Sequence, residues 1–200
     1  MEKIIKLFLV IIFLISVNVV LLLRAHAAAT VPLSVTVNGS LVISDADNDT
    51  MAGKDPTKNV TISVTPDLGA ATATGNANFR IRTNNSTWRL TALRTASDAG
   101  GTGLVDSDVL VDVAKSAGSM ANASAGALVA PFTSQASLSN IPTVAPAADV
   151  ISGTAKTSSG KDNSNANNWF QVNTTYSVVP DFFYSPGTFS TTITYSLVSP

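Results

Sequence analysis

Past its N-terminal segment, the apolar runs of this chain are dominated by alternation at every second position. The closing run "FSTTITYSL" sets Phe189, Ile193, Tyr195 and Leu197 against Ser190, Thr192, Thr194 and Ser196. The same period recurs in "VPLSVTV" (Leu33, Val35, Val37), "NVTISVT" (Val60, Ile62, Val64), "NFRIR" (Phe79, Ile81) and "TWRLTA" (Trp88, Leu90, Ala92). It returns in "LVDSDVLVDVA", with Val105, Val109, Val111 and Val113 opposite Asp106, Asp108 and Asp112, and in "WFQVNTTYSVV", with Phe170, Val172, Tyr176 and Val178. Successive strand side chains point to opposite faces, so period two marks half-buried strands. No window carries a capped helical stripe. Turn clusters such as "TNNS", "DAGGTG" and "YSPGT" part the runs. The pattern predicts an all-β fold: a single-domain antiparallel β-sandwich with Greek-key-like connections. The Ala/Ser-rich segment from about 116 to 168 reads as weakly structured. Short strands are expected there near Leu128–Thr133 and Val150–Ala155, and "KTSSGKDNSNANN", Lys156 to Asn168, reads as an exposed loop.

The first residues obey a different rule. Lys3 and Lys6 precede an apolar run from Leu7 to Leu23, and Ala25-His26-Ala27 follows as a small-x-small cleavage site. This is the layout of a signal peptide, residues 1–27, removed after Ala27. A retained anchor helix is the rival, since the run is near the lower length for spanning a bilayer. Cleavage leaves residues 28–200, enough for one domain with its own core. A secreted location at the cell surface or wall is expected, with no stable membrane span after cleavage.

Composition narrows the chemistry. The chain has no cysteine, and its only histidine, His26, lies in the signal segment. Beyond residue 27 every acidic residue is Asp. Such a chain cannot build a Ser-His-Asp or Cys-His nucleophile pair and lacks the usual zinc ligands. A glycosidase-like Asp pair stays open but has no motif. A non-enzyme is expected. The 12 basic residues against 13 acidic ones give no basic surface for nucleic acid. Without disulfides, the exported domain must be stabilised by its core.

Three features are candidates for contact with something else. If Asn84-Asn85 caps a hairpin, Phe79 opposes Leu90, Ile81 opposes Trp88, and Arg80 opposes Arg89 with Arg82 alongside. Like charges so opposed require an anion. Asp106, Asp108 and Asp112 on another strand are one source; an anionic wall polymer or glycan bound by Arg80, Arg82 and Arg89 is the other. In "SDADNDTMAGKDP", Asp45, Asp47 and Asp49 have the first spacings of a calcium loop. Thr50 stands in place of its glycine and Pro56 in place of its closing Glu, so calcium is weighed against an ordinary turn, and no other cofactor is expected. Trp169, after the polar loop, is either the first residue of a strand or a stacking surface for a sugar.

"TWRLTA" and the closing "PGTFSTTITYSLVSP" together resemble the two signatures of WxL-domain proteins, Gram-positive surface proteins that associate non-covalently with peptidoglycan. The family carries one W-x-L in the first half of the domain and a second in the final strand, after a G-T-aromatic start. The resemblance spans nearly the whole chain after the signal and maps onto Trp88, Leu90, Tyr195 and Leu197. Tyr195 stands where the family has Trp. The resemblance implies a partner in the cell-wall polymer or its glycans. The alternative is a structural fimbrial or coat-like subunit that self-assembles by strand exchange through Ala28–Val37. No LPxTG-type tail is seen, so covalent anchoring is not expected.

Overall fold

The computed structural model describes residues 32–200 together with Met1, Glu2, Ile5, Lys6, Leu9, Ile11 and Ile12. Most of the expected signal segment, its cleavage site and Ala28–Val31 lie outside the described residues. The chain divides into two compact units, Met1–Val37 and Asn38–Pro200. In the first, Lys6 pairs with Glu2 one helical turn away. Among the described residues no helix is long and apolar enough to cross a membrane.

The second unit is the antiparallel sandwich that the alternation predicts. Its strands are β1 (Leu41–Asp45), β2 (Ala73–Thr83), β3 (Trp88–Arg94), β4 (Val109–Ala117), β5 (Gly126–Leu128), β6 (Ala136–Ser137), β7 (Ala148–Gly153), β8 (Phe170–Val178) and β9 (Ile193–Val198). One sheet runs β1-β2-β8-β4-β6 and the other β5-β7-β3-β9. Only β1 and β2 are neighbours both in the chain and in a sheet. Every other ladder joins distant segments, such as β2 with β8 and β3 with β9.

The inward positions form one core. Phe79 and Ile81 of β2, Val109, Val111 and Val113 of β4, and Phe170, Val172, Tyr176 and Val178 of β8 face Trp88, Leu90 and Ala92 of β3. The polar partners lie on the outer faces, Asp112 exposed and Arg80, Gln171, Asn173 and Thr175 partly covered. The sequence pattern fixes these faces because a strand slipped by one residue would turn its whole apolar set to water.

Four expectations are corrected. First, β2 and β3 do not form a hairpin; they lie in different sheets. Thr83 is held by Thr157, whose hydroxyl accepts from the Thr83 amide at 3.0 Å and whose amide donates to the Thr83 carbonyl at 2.9 Å. The chain then crosses from one layer to the other. Ile81 and Trp88 still face a shared interior, so a hairpin and a crossing arch produce the same apolar pattern. Arg80 and Arg89 are therefore not cross-strand neighbours.

Second, Leu33, Val35 and Val37 belong to no strand and are 87%, 77% and 79% exposed. Third, Val60, Ile62 and Val64 alternate in burial but join no ladder. Val60 and Ile62 lie over β2 at Gly75, where an added Cβ would stand 2.6 Å from Val60 Cγ1; the missing side chain lets this segment approach the sheet. Val105 is also outside its expected strand and exposed. Fourth, the segment 116–168 is more structured than its composition suggests. It holds β5, β6, β7 and a 3-10 turn, Leu138–Asn140, and it buries Phe132, Leu138, Ile141, Val150 and Ile151. The loop 156–168 is mostly exposed as expected, apart from Thr157.

Candidate ligand-contact face and motif core

The two short motifs meet inside the molecule. β3 and β9 are paired, with Leu90 opposite Leu197 and Ala92 opposite Tyr195. Trp88 is fully buried, and its indole N–H donates to the Ala155 carbonyl at 2.7 Å. The ring lies over two glycines in register, Gly153 on β7 and Gly126 on β5. A Cβ at Gly153 would come within 1.9 Å of Trp88 Cε2, and one at Gly126 within 2.7 Å of Cη2. Across the interior the indole meets Phe170 of β8 at 6.1 Å between centroids, with the planes tilted by 34°.

Tyr195 fills the neighbouring space. Its ring packs against Phe79 at 5.2 Å, and its hydroxyl is 3.0 Å from that of Tyr176. Burial, and then the neighbouring phenol, push the ionisation of Tyr195 well above the usual tyrosine range; burial likewise raises that of Tyr176. Trp88, Leu90, Tyr195 and Leu197 are thus interior residues that join β9 to the core.

Two of the three candidate arginines occupy the outer side of the five-stranded sheet. Arg80 and Arg82 share an outward face of β2 and converge on one carboxylate, Asp49. Arg82 meets both of its oxygens, one at 2.6 Å, and Arg80 donates to it at 3.0 Å. Ser44 donates to the same group at 2.7 Å. Burial alone would raise the Asp49 carboxyl, but the bonds from Arg82, Ser44 and Arg80 outweigh it and hold it far below the usual carboxylate range. The anion demanded by Arg80 and Arg82 is therefore supplied from within the chain. Its source is Asp49, not Asp106, Asp108 or Asp112. Arg89 is on the other sheet and pairs with Asp149 at 3.2 Å, with half of its side chain exposed.

The acidic loop is absorbed in the same way. Lys58 pairs with both Asp45 and Asp47. Hydrogen bonding from Lys58 and from the Asp47 amide lowers the Asp45 carboxyl. Asp45, Asp47 and Asp49 thus point to two different cationic groups, and a calcium ion would have to replace those cations.

Trp169 immediately precedes β8 and is half-buried. Its N–H donates to the Ala166 carbonyl at 2.8 Å, and the Arg80 guanidinium lies 4.0 Å from the ring centroid. Arg82 donates to Asn168 at 2.9 Å, and Arg80 approaches Gln171. Arg80, Arg82, Trp169, Asn168 and Gln171 therefore form one polar and aromatic face, with hydrogen-bond groups at its rim.

Two cations escaped the sequence reading. Arg94 has the same parity as Trp88, Leu90 and Ala92 and is 8% exposed. Its Nε donates to the carbonyls of Leu138 and Ile141 at 3.1 and 2.8 Å, and its fork reaches Ser97 and Asp106. Lys115 has the parity of Val111 and Val113. It lies 4.3 Å from the Phe170 ring centroid and donates to the carbonyls of Ala123 and Gly126. Burial pushes its ammonium below the usual lysine range. Parity alone could have found both, since each is the cation that ends an inward-facing series. No family model matches the chain, and no curated protein matches it.

Proposed function

We propose that this chain is an exported, non-enzymatic surface domain that associates non-covalently with the cell wall, through peptidoglycan or other wall glycans. The observation that supports this reading is the pairing of Leu90 with Leu197. Two motifs about a hundred residues apart share one strand pair and one core, which gives the WxL resemblance a common structural cause. In this reading the motifs build the fold and the outer face makes the contact. Arg80, Arg82 and Trp169, with Asn168 and Gln171, suit the hydroxyls and carboxylates of a wall polymer. The acids nearest that face are engaged by cations rather than poised as a catalytic pair. Washed wall sacculi provide the test. The folded protein should sediment with them, and Arg80→Ala with Trp169→Ala, which loses the Asp49 bond and the stacked ring and so melts somewhat lower, should reduce the bound fraction at a temperature where the variant is still folded. A protein that stays in the supernatant at low salt would refute the reading.

A second reading, assembly by strand exchange, is favoured by one observation: the exposed, alternating and unpaired segment that holds Leu33, Val35 and Val37.

A further inference from the structure

We infer that the segment Pro32–Val37 of one copy docks as an added strand on the free edge of β9 in a second copy; this rests on the strand-exchange reading and names its acceptor. The four sheet edges are unequal. β5 and β6 have three and two residues, too short for a useful ladder. The outer edge of β1 is already engaged by its own loop: Ser44 bridges Lys54, and the Asp55 amide donates to the Ile43 carbonyl at 3.0 Å. That leaves β9, six residues long and terminal in its sheet. Its sequence, "ITYSLV", holds none of the charges or prolines by which proteins protect an exposed edge.

The donor matches the acceptor in length and in pattern. "PLSVTV" also has six residues, and its only proline is the first, where a strand tolerates a missing N–H. Leu33, Val35 and Val37 lie on one face, with Ser34 and Thr36 on the other. β9 has the same division, Ile193, Tyr195 and Leu197 turned inward and Thr194, Ser196 and Val198 outward. The donor's apolar face would turn towards the seam beside β9. Between the edges of β1 and β9 runs a groove of about 230 Å³, lined by Leu41, Ile43, Asp55, Tyr195, Ser196 and Leu197. That is less than the ~300–1,000 Å³ of a small-molecule site; it leaves room beside β9 for single side chains of an added strand, not for a strand between β1 and β9. The added strand would extend the four-stranded sheet by backbone hydrogen bonds, with side-chain alternation setting the register. Because donor and acceptor differ, the contact is heterologous and propagates into a chain of subunits.

The absence of cysteine makes the test clean. A Thr36→Cys chain is mixed with a Ser196→Cys chain under mild oxidation, each keeping its native N-terminal segment, and the linked peptides are identified by mass. Parallel mixtures pair Thr36→Cys with Ala127→Cys on β5 or Ser137→Cys on β6. A disulfide between positions 36 and 196 of different molecules supports the proposal, provided that Val35→Asp removes it without changing the melting temperature. Linkage of position 36 to 127 or 137 instead overturns the β9 acceptor and leaves assembly standing. Monomers in every mixture overturn both.

Discussion

Truncating Trp88 to alanine removes the indole that covers Gly153 and Gly126 and meets Phe170 across the interior. The expected cost is about 3–5 kcal/mol, as for other buried aromatics, or a fall in melting temperature of roughly 10 °C or more for a domain of this size. The glycines sharpen the test. Gly153→Ala should destabilise the parent by about 1–3 kcal/mol through overpacking, yet cost little in the Trp88→Ala background, where the cavity admits the methyl. Additive effects in that cycle would show that the indole is not what excludes a side chain at 153. Tyr195 makes the complementary case. Tyr195→Phe leaves the Tyr176 hydroxyl without its partner, at about 1–3 kcal/mol, whereas the double Tyr176→Phe/Tyr195→Phe change should be milder. Both phenols titrate above their unfolded value, so their contribution is complete below about pH 10 and fades as pH rises through the folded values. Ultraviolet titration should show the partly exposed Tyr184 ionising in the folded protein and the other two tyrosinates forming only together with unfolding; ionisation of all three tyrosines in the folded protein would contradict the buried pair.

At the scale of elements, faces were readable in the sequence and neighbours were not. Period two assigned the inward sides of β2, β3, β4, β8 and β9 because burial alone sets that parity. The pattern carries no information on whether consecutive strands fold back in one sheet or cross to the other, which is why the β2–β3 hairpin was misplaced. It also failed where an extended run has one apolar side but no ladder, as at Val60–Val64, and where short strands separate single buried residues, as at Phe132, Leu138 and Ile141. The arginine cluster was legible as a need for an anion, but its partner lies on the loop after β1, beyond the reach of any periodicity. Asp49 therefore yields a prediction for that loop. Its carboxyl is depressed in the folded state, so the stabilisation is full above the unfolded value near pH 4 and is lost as pH falls below it. Asp49→Ala, which strands two half-buried guanidinium groups, should cost about 3 kcal/mol at neutral pH and flatten the acid limb of the stability profile. If the loop is held by Arg80, Arg82 and Lys58, millimolar calcium should leave the melting temperature unchanged. A calcium-dependent rise that Asp47→Ala abolishes would mean that an ion replaces those cations.

For the whole molecule, the boundary between the two compact units falls at Val37 and Asn38. Among the described residues the core lies entirely beyond Asn38, and Leu33, Val35 and Val37 are exposed. A chain beginning at Asn38 should therefore melt within a degree or two of one beginning at Pro32, since exposed residues outside a ladder contribute within about 0.5 kcal/mol. The far end of the chain should behave in the opposite way. β9 is the only neighbour of β3 on that side, and it brings Ile193, Tyr195 and Leu197 against the core. Ending the chain at Thr188 would expose Leu90 and Ala92 along a bare edge and free the Tyr176 hydroxyl. Losing three apolar side chains at about 1.5–3 kcal/mol each consumes most of a stability near 5–15 kcal/mol. The shortened chain should show no cooperative melting transition, and a synthetic peptide spanning residues 189–200 should restore one by filling the vacant place beside β3. Cooperative unfolding of the chain that ends at Thr188, without the peptide, would show that β9 is an accessory strand and that the closing motif has a role other than completing the core.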